Sequence, residues 1–216
     1  PGDDRSVLFP NFYVHQEEAF TEFLARGRDV VVATGTGSGK TECFLVPMLG
    51  SLYNEANARP TSFALPGVRA LVLYPMNALV NDQLARLRLL LGDKAVADAF
   101  RKTGSGRAPR FGMYTGRTPY AGPRTTGKDG DRVAPLLEYY LGMDPELEKR
   151  LRRLGRYPAK DLHKFYAKNE SRQATYQTGE RAGQQYTKHH WDRRLHTGED
   201  DRELLTRHEM VHGTGS

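Results

Sequence analysis

One segment, residues 29–41, constrains the fold of this chain more than any other; it reads Asp-Val-Val-Val-Ala-Thr-Gly-Thr-Gly-Ser-Gly-Lys-Thr. The run Val30–Val32 predicts a short buried strand, and glycines alternating with small hydroxyl residues follow it. An apolar helical pattern begins after Lys40 and Thr41. Because backbone N–H groups and the positive end of a helix attract anions, this order of strand, glycine loop and helix predicts a cradle for phosphate groups.

The residues of this loop have separate predicted roles. Gly35, Gly37 and Gly39 can adopt backbone angles that other residues avoid, so the loop can wrap around a polyphosphate. Lys40 is expected to reach the outer phosphates, and the Thr41 hydroxyl to hold the Mg²⁺ that bridges them, which makes these two the candidate catalytic residues. A glycine-rich turn without function is the alternative. Gly-Lys-Thr at the start of a helix, directly after a buried strand, favours the phosphate site.

Motif I of the superfamily-2 DEAD/DEAH-type helicases has the form Ala-x-Thr-Gly-Ser-Gly-Lys-Thr. Six consecutive residues of this chain resemble it: Thr36, Gly37, Ser38, Gly39, Lys40 and Thr41. Thr34 departs from the general phosphate-loop pattern, which has a glycine at that position. The resemblance implies ATP and Mg²⁺ as cofactors, with these six residues at the nucleotide. It also implies an α/β fold, a P-loop RecA-like parallel sheet with helices on both faces.

Gln16 adds to the resemblance because it follows His15 and stands 24 residues before Lys40. In superfamily-2 helicases a glutamine in this setting reads the adenine edge of ATP. An amide suits that role since it offers both a hydrogen-bond donor and an acceptor. The resemblance therefore adds Gln16 to the predicted cofactor-binding residues.

A second buried strand is predicted over residues 69–75, and the helical pattern after it stops at Gly92. Strands alternating with helices at this spacing predict a parallel sheet covered on both faces. Residues 74–83 resemble motif Ia of the same helicases, which implies that Pro75 and Asn77 lie at a phosphate of single-stranded nucleic acid. The alternative is that these two residues only end the strand and cap the helix.

Residues 110–115 predict a weaker third strand, which leads into Gly116-Arg117-Thr118-Pro119. The stretch resembles the aromatic-x-Gly-x-Thr-Pro of a group of bacterial and archaeal helicases related to RecQ-like and Lhr-type enzymes. Some members of that group serve DNA repair and others phage defence. The resemblance places Thr115, Gly116 and Arg117 near the nucleic-acid path, with Arg117 as a phosphate contact. A Gly-x-x-Pro turn without function explains the same residues.

The charge of the chain points to the same class of partner. Its net charge is +6, and residues 101–119 hold five Lys or Arg and no Asp or Glu. A basic segment beside an otherwise neutral core predicts a polyanion, here single-stranded nucleic acid and DNA in particular, although a solvated loop has the same composition. With no apolar run near 18 residues, no membrane association is expected. The single cysteine, Cys43, fits a reducing cytoplasm and is predicted to lie in the core.

Three regions are predicted: residues 1–119 as the N-terminal part of a RecA-like ATP-binding domain, 120–207 as a largely helical, basic and partly flexible insertion, and 208–216 as a return to the core. No apolar strand followed by an acidic pair comes after Thr115. We therefore expect a chain truncated before motif II that binds ATP better than it hydrolyses it. A second RecA-like domain of the same longer protein, and protein partners, are expected to complete it.

The function predicted is the ATP-binding portion of a helicase or translocase that couples ATP hydrolysis to movement on DNA, in repair or phage defence. The alternative is a non-catalytic module that binds ATP and nucleic acid. A remote alternative comes from His208-Glu209-Met210-Val211-His212, because His-Glu-x-x-His on a helix is typical of zinc proteases. The third ligand and the apolar helix that such a site needs are missing from the sequence.

Overall fold

The computed structural model describes residues 11–118, 139–140, 142–160, 162, 168–191 and 202–212. The chain divides into two compact units, each interrupted in sequence. The first consists of Pro1–Leu73 with Asp93–Pro109, and the second of Tyr74–Gly92 with Arg110–Ser216. This division differs from the predicted boundary at residue 119, because residues 74–92 join the second unit.

The first unit is helical in its described part. It contains four α-helices and one π-helical turn: α1 (Val14–Phe20), the π turn (Thr21–Ala25), α2 (Glu42–Ala58), α3 (Pro60–Ala64) and α5 (Lys94–Arg101). Gly27 follows the π turn with a φ of 63°, which a residue with a side chain rarely adopts. Ala56, Phe63 and Phe100 form the core, since α2 packs on α3 and the ring of Phe63 stacks on Phe100. Cys43 is buried as predicted, and burial raises the pKa of its thiol.

The two buried strands predicted in the first unit are wrong for the described structure. Residues 29–33 and 69–73 run without regular secondary structure, and Val31, Leu71 and Leu73 are 94%, 76% and 80% exposed. A strand is stabilised by pairing with a neighbour and by burying a face. The residues described for this unit provide no strand that pairs with either segment.

The second unit mixes helices and short strands. Its elements are α4 (Asn77–Leu91), β1 (Phe111–Gly112), α6 (Pro145–Arg153), β2 (Lys168–Thr175), β3 (Gln185–Trp191), β4 (Glu203–Leu204) and α7 (Arg207–His212). Strand β1 pairs in parallel with β4, with Phe111 opposite Glu203, and β2 pairs antiparallel with β3. Among the described residues, parallel pairing is thus confined to these two short strands, and the full RecA-like sheet stays a prediction.

The described residues of region 120–207 contain strands as well as a helix, and its role as an insertion stays a prediction. Helix α6 starts at Pro145, because the Asp144 carboxylate accepts hydrogen bonds from the N–H groups of Glu146 and Leu147, and Pro145 suits the first turn. Strands β2 and β3 form a hairpin where loosely ordered chain was expected, and β4 returns to the sheet before residue 208. No helix in the described part of the chain is long and apolar enough to cross a bilayer.

Candidate functional site

The glycine loop of the first unit has the backbone that a phosphate cradle needs. Gly37 and Gly39 have φ values of 78° and 75°, and helix α2 begins at Glu42 directly behind them. A Cβ atom added at Gly35 or Gly37 would meet no atom within 4 Å, so this side of the loop is open. The loop therefore presents its backbone and the N-terminal end of a helix of 17 residues to an accessible space.

Lys40 is folded onto the loop. Its Nζ donates hydrogen bonds to the carbonyl oxygens of Thr34, at 2.9 Å, and Gly35. Ser38 fixes the same turn, because its hydroxyl donates to the Gly35 carbonyl at 2.9 Å and lies 2.6 Å from the Thr34 hydroxyl. The ammonium group thus lies at the loop, where the predicted contact with outer phosphates requires it.

The structure brings the predicted His-Gln pair to the same loop. Gln16 is 3% exposed; its Nε2 donates to the Gly39 carbonyl at 2.8 Å, and its Oε1 accepts from the Tyr13 N–H at 2.9 Å. The His15 Nε2 lies 2.9 Å from the Ser38 carbonyl oxygen. In this structure the Gln16 amide supports the loop through protein contacts, and its reading of adenine stays a prediction.

The loop fits the phosphates of ATP. The space outside Gly35 and Gly37 is open, and the Lys40 ammonium is the cation beside it. Thr41 is the N-cap of α2, and its side chain makes no hydrogen bond to the helix, so its hydroxyl is available to hold Mg²⁺. Thr36, the remaining residue predicted at the nucleotide, is exposed in the loop.

We expect Gly39→Ala to weaken ATP binding much more than Gly35→Ala. An alanine Cβ at residue 39 would lie 2.5 Å from the Gln16 Nε2, and a side chain at this positive φ costs about 1–2 kcal/mol in addition. At Gly35 neither penalty applies. Titration with a fluorescent ATP analogue should show a loss of roughly tenfold or more for Gly39→Ala. Equal affinities of the two variants would contradict the packing of Gln16 on Gly39.

In the second unit, the predicted nucleic-acid residues form a tight turn after β1. The Thr118 N–H donates to the Thr115 carbonyl at 3.1 Å, and the Thr115 N–H donates to the Thr118 hydroxyl at 2.8 Å. That hydroxyl in turn donates to the Met113 carbonyl at 2.6 Å. Gly116 and Arg117 are exposed at the tip of the turn. The turn therefore presents the Arg117 guanidinium to solvent on a rigid backbone.

Pro75 and Asn77 are both exposed at the start of α4. Met76 is the N-cap of this helix, and no side-chain hydrogen bond caps it. The alternative in which Asn77 caps the helix is therefore wrong. Contact of Pro75 and Asn77 with nucleic acid remains a prediction.

The sequence analysis missed the residues where β4 meets α7. Parallel strands end at the same edge, so the segment after Leu204 lies beside the turn after Gly112. The Arg207 Nη2 donates to the Thr115 carbonyl at 2.6 Å, and its guanidinium lies 5.2 Å from the centre of the Tyr114 ring. The signal that could have identified this helix start is the Thr-x-x-Glu pattern of a capping box at residues 206–209.

Glu209, the glutamate of the His-Glu-x-x-His match, completes that capping box. Its N–H donates to the Thr206 hydroxyl at 3.1 Å, and its carboxylate accepts from the Thr206 N–H at 3.2 Å. The same carboxylate pairs with the buried Lys160 Nζ at 3.3 Å. A carboxylate held this way has a structural role and is not placed to act as a base. Within the described residues, no three His, Cys, Asp or Glu residues cluster as metal ligands.

The chain is similar in sequence to known helicases. A family model described as DEAD/DEAH box helicase matches residues 13–110, which include the glycine loop, Gln16 and the start of α4. This segment is similar to the DEAD/DEAH box helicases, and the predicted resemblance to superfamily-2 helicases is confirmed.

Relatives extend the similarity beyond that segment. The chain is 50% identical over 209 residues to the Druantia protein DruE of Escherichia coli (strain UMEA 4076-1), a match covering 94% of this chain and 11% of DruE. It is 34% identical over 85 residues to the uncharacterized ATP-dependent helicase YprA of Bacillus subtilis (strain 168), covering 39% of this chain and 10% of YprA. It is 37% identical over 68 residues to the ATP-dependent RNA helicase ROK1 of Scheffersomyces stipitis, a match covering 32% of this chain and 12% of ROK1.

The chain therefore spans about a tenth of the length of these relatives. No solved structure matches it.

Proposed function

We propose that this chain is the ATP-binding portion of a helicase or translocase that moves along single-stranded nucleic acid. The observation that carries the proposal is the glycine loop. Its two positive-φ glycines, Gly37 and Gly39, precede Lys40 and Thr41 at the N-terminal end of α2. The similarity of residues 13–110 to the DEAD/DEAH box helicases supports the choice of ATP over other phosphate ligands. We further propose that the Val30–Val32 and Leu71–Leu73 segments join a RecA-like parallel sheet in the complete enzyme.

The proposed roles follow from where each group lies. The loop N–H groups and Lys40 bind the phosphates, Thr41 holds Mg²⁺, and Gln16 selects adenine while it orders the loop through Gly39. When bound, ATP with Mg²⁺ supplies the phosphoanhydride bond whose hydrolysis drives movement. In the described residues, β4 is followed by Leu205 and Thr206 and not by an acidic pair. We therefore propose that hydrolysis requires a further strand and the second RecA-like domain.

DNA is proposed as the strand because residues 74–83 and 114–119 resemble the helicase group that serves repair and phage defence. ROK1 is named an RNA helicase, so RNA is the competing substrate. ATP turnover should be measured with matched single-stranded DNA and RNA of one sequence. Turnover stimulated by DNA supports the helicase. Tight binding of ATP and DNA without any turnover in the full-length protein would favour the non-catalytic module.

We expect Arg117→Ala to weaken binding of single-stranded DNA and to reduce its salt dependence. Arg117 is exposed at the tip of the turn after β1, and each lost phosphate contact lowers the slope of log K against log salt by about 0.7 to 1. Fluorescence anisotropy at several salt concentrations measures this slope. Arg153→Ala, which removes an exposed arginine from α6, is the matched control. An unaltered slope for Arg117→Ala would contradict a phosphate contact.

A further inference from the structure

The second unit contains a cavity of about 540 Å³ that none of the predicted roles uses. Its walls come from α4, from the turn that carries Arg117, from β4, and from residues 140, 155, 156 and 158 of the region predicted as an insertion. This volume lies within the range of roughly 300–1,000 Å³ typical of small-molecule sites. The cavity therefore joins the helix that follows motif Ia to a part of the chain outside the family match at residues 13–110.

A buried ion pair forms one wall of the cavity, and its charged groups are hydrogen-bonded to other protein groups. The Arg88 Nε and Nη2 donate to the two carboxylate oxygens of Glu203 at 2.8 and 2.7 Å, and the Arg88 Nη1 donates to the Gly155 carbonyl at 3.3 Å. The Glu203 carboxylate also accepts from the Ala159 N–H at 2.8 Å. Arg88 and Glu203 therefore shape the cavity, and contacts to a ligand would come from the other lining side chains.

Two arginines give the cavity its charge. Arg117 and Arg156 both line it and are both exposed, and within the described part of the chain neither guanidinium has a hydrogen-bond or ion-pair partner. Once the Arg88–Glu203 pair is set aside, Asp82 is the one acidic side chain on the lining. The remaining charges are thus two positive against one negative, which favours an anionic ligand at the mouth.

The uncharged part of the cavity lining consists of an aromatic ring, apolar side chains and an amide. Tyr140 is half-buried and packs edge to face on Tyr157, with ring centres 5.1 Å apart, so its plane is held in place. Burial raises the pKa of the Tyr140 hydroxyl above its ordinary value. Leu84 and Met113 add apolar surface, and Asn81 adds an amide that can both donate and accept.

We propose that this cavity receives one nucleobase of a bound single strand, with the base beside Tyr140 and its flanking phosphates on Arg117 and Arg156. An aromatic ring with apolar neighbours suits the face of a base, and a pair of unpaired arginines suits the phosphates on either side of it. The inference rests on the proposed function, since it requires a strand passing Arg117. It goes beyond that function because it places Tyr140 and Arg156 in strand binding.

The test compares a 12-nucleotide single-stranded DNA with a 12-unit strand that lacks all its bases and keeps every phosphate. The ratio of the two dissociation constants isolates the contribution of the bases. We expect the full-length protein to bind the normal strand at least about fivefold more tightly than the abasic strand. In Tyr140→Leu this ratio should fall severalfold, and in Tyr140→Phe it should be kept, because the ring remains. Thermal melting of both variants shows whether they are folded.

Arg156→Ala should weaken binding of both strands by a similar factor, whereas Arg153→Ala should weaken neither. Binding of both strands with a ratio that Tyr140→Leu does not change would overturn the inference and leave the proposed function intact. Failure of the wild-type protein to bind either strand, with ATP binding retained, would instead refute the proposed strand binding. A polyglutamate peptide that displaces the normal strand from the wild type, but not from Arg156→Ala, would assign the cavity to an acidic protein and also overturn the inference.

Discussion

Replacing Lys40 with alanine will abolish detectable ATP binding. The ammonium group lies at the glycine loop, where it donates to the carbonyl oxygens of Thr34 and Gly35. In the variant the loop loses the cation beside the phosphate space. Hydrogen bonds to charged groups contribute about 1.5–3 kcal/mol each, so one lost phosphate contact lowers affinity by roughly ten- to a hundredfold, and two lower it further. Titration with a fluorescent ATP analogue in the presence of Mg²⁺ measures the loss.

The matched control for this prediction is Lys102→Ala. Lys102 is an exposed lysine of the same unit, and it lies outside the loop, directly after α5. Its removal changes the net charge by the same amount and should leave the affinity for ATP unchanged. If Lys40→Ala bound ATP as tightly as Lys102→Ala, the assignment of the loop as a phosphate site would be wrong.

Replacing Glu203 with alanine will destabilise the second unit by about 3–5 kcal/mol. The Glu203 side chain is 2% exposed and the Arg88 side chain 14% exposed, so the substitution leaves a guanidinium without its counter-charge in a largely buried place. The Ala159 N–H loses its acceptor as well. Urea denaturation followed by circular dichroism measures the change in the free energy of unfolding.

Two further variants separate the effect of burial from the loss of a charge. Glu148→Ala removes the acid of an exposed ion pair with Arg152, which contributes about 0–1 kcal/mol. The double replacement Arg88→Met with Glu203→Leu removes both buried charges and should recover much of the stability lost in Glu203→Ala. Equal losses for Glu203→Ala and Glu148→Ala would show that the buried pair is not what stabilises this unit.

Features that depend on neighbouring residues could be predicted from the sequence. Gly37 and Gly39 take positive φ values because the tight loop before α2 demands them. Asp144 caps α6 through its own side chain, and Gly27 follows the first helix with a positive φ. Each outcome is decided within a few residues, so the pattern of residue types is sufficient to predict it.

Features that depend on distant partners could not be predicted. The Val30–Val32 segment has the composition of a buried strand, but burial requires another strand beside it, and no local pattern shows whether one is present. Strand β4 was missed because Arg202-Glu203 is polar; Glu203 is buried where Arg88 and the Ala159 N–H pair with its carboxylate. The His-Glu-x-x-His match obscured a capping box, since Glu209 serves both patterns and only its contacts distinguish them.

The long separation of the partners in the second unit determines the order in which this unit can fold. Arg88 and Glu203 are 115 residues apart in sequence, and β1 likewise pairs with a strand near the far end of the chain. Such contacts stabilise the unit only after a large loop of chain has closed. The β2–β3 hairpin, in contrast, can form locally within microseconds. At a synthesis rate of about 5–20 residues per second, α4 leaves the ribosome on the order of ten seconds before its partner strand. During that interval its apolar side chains are a natural substrate for chaperones.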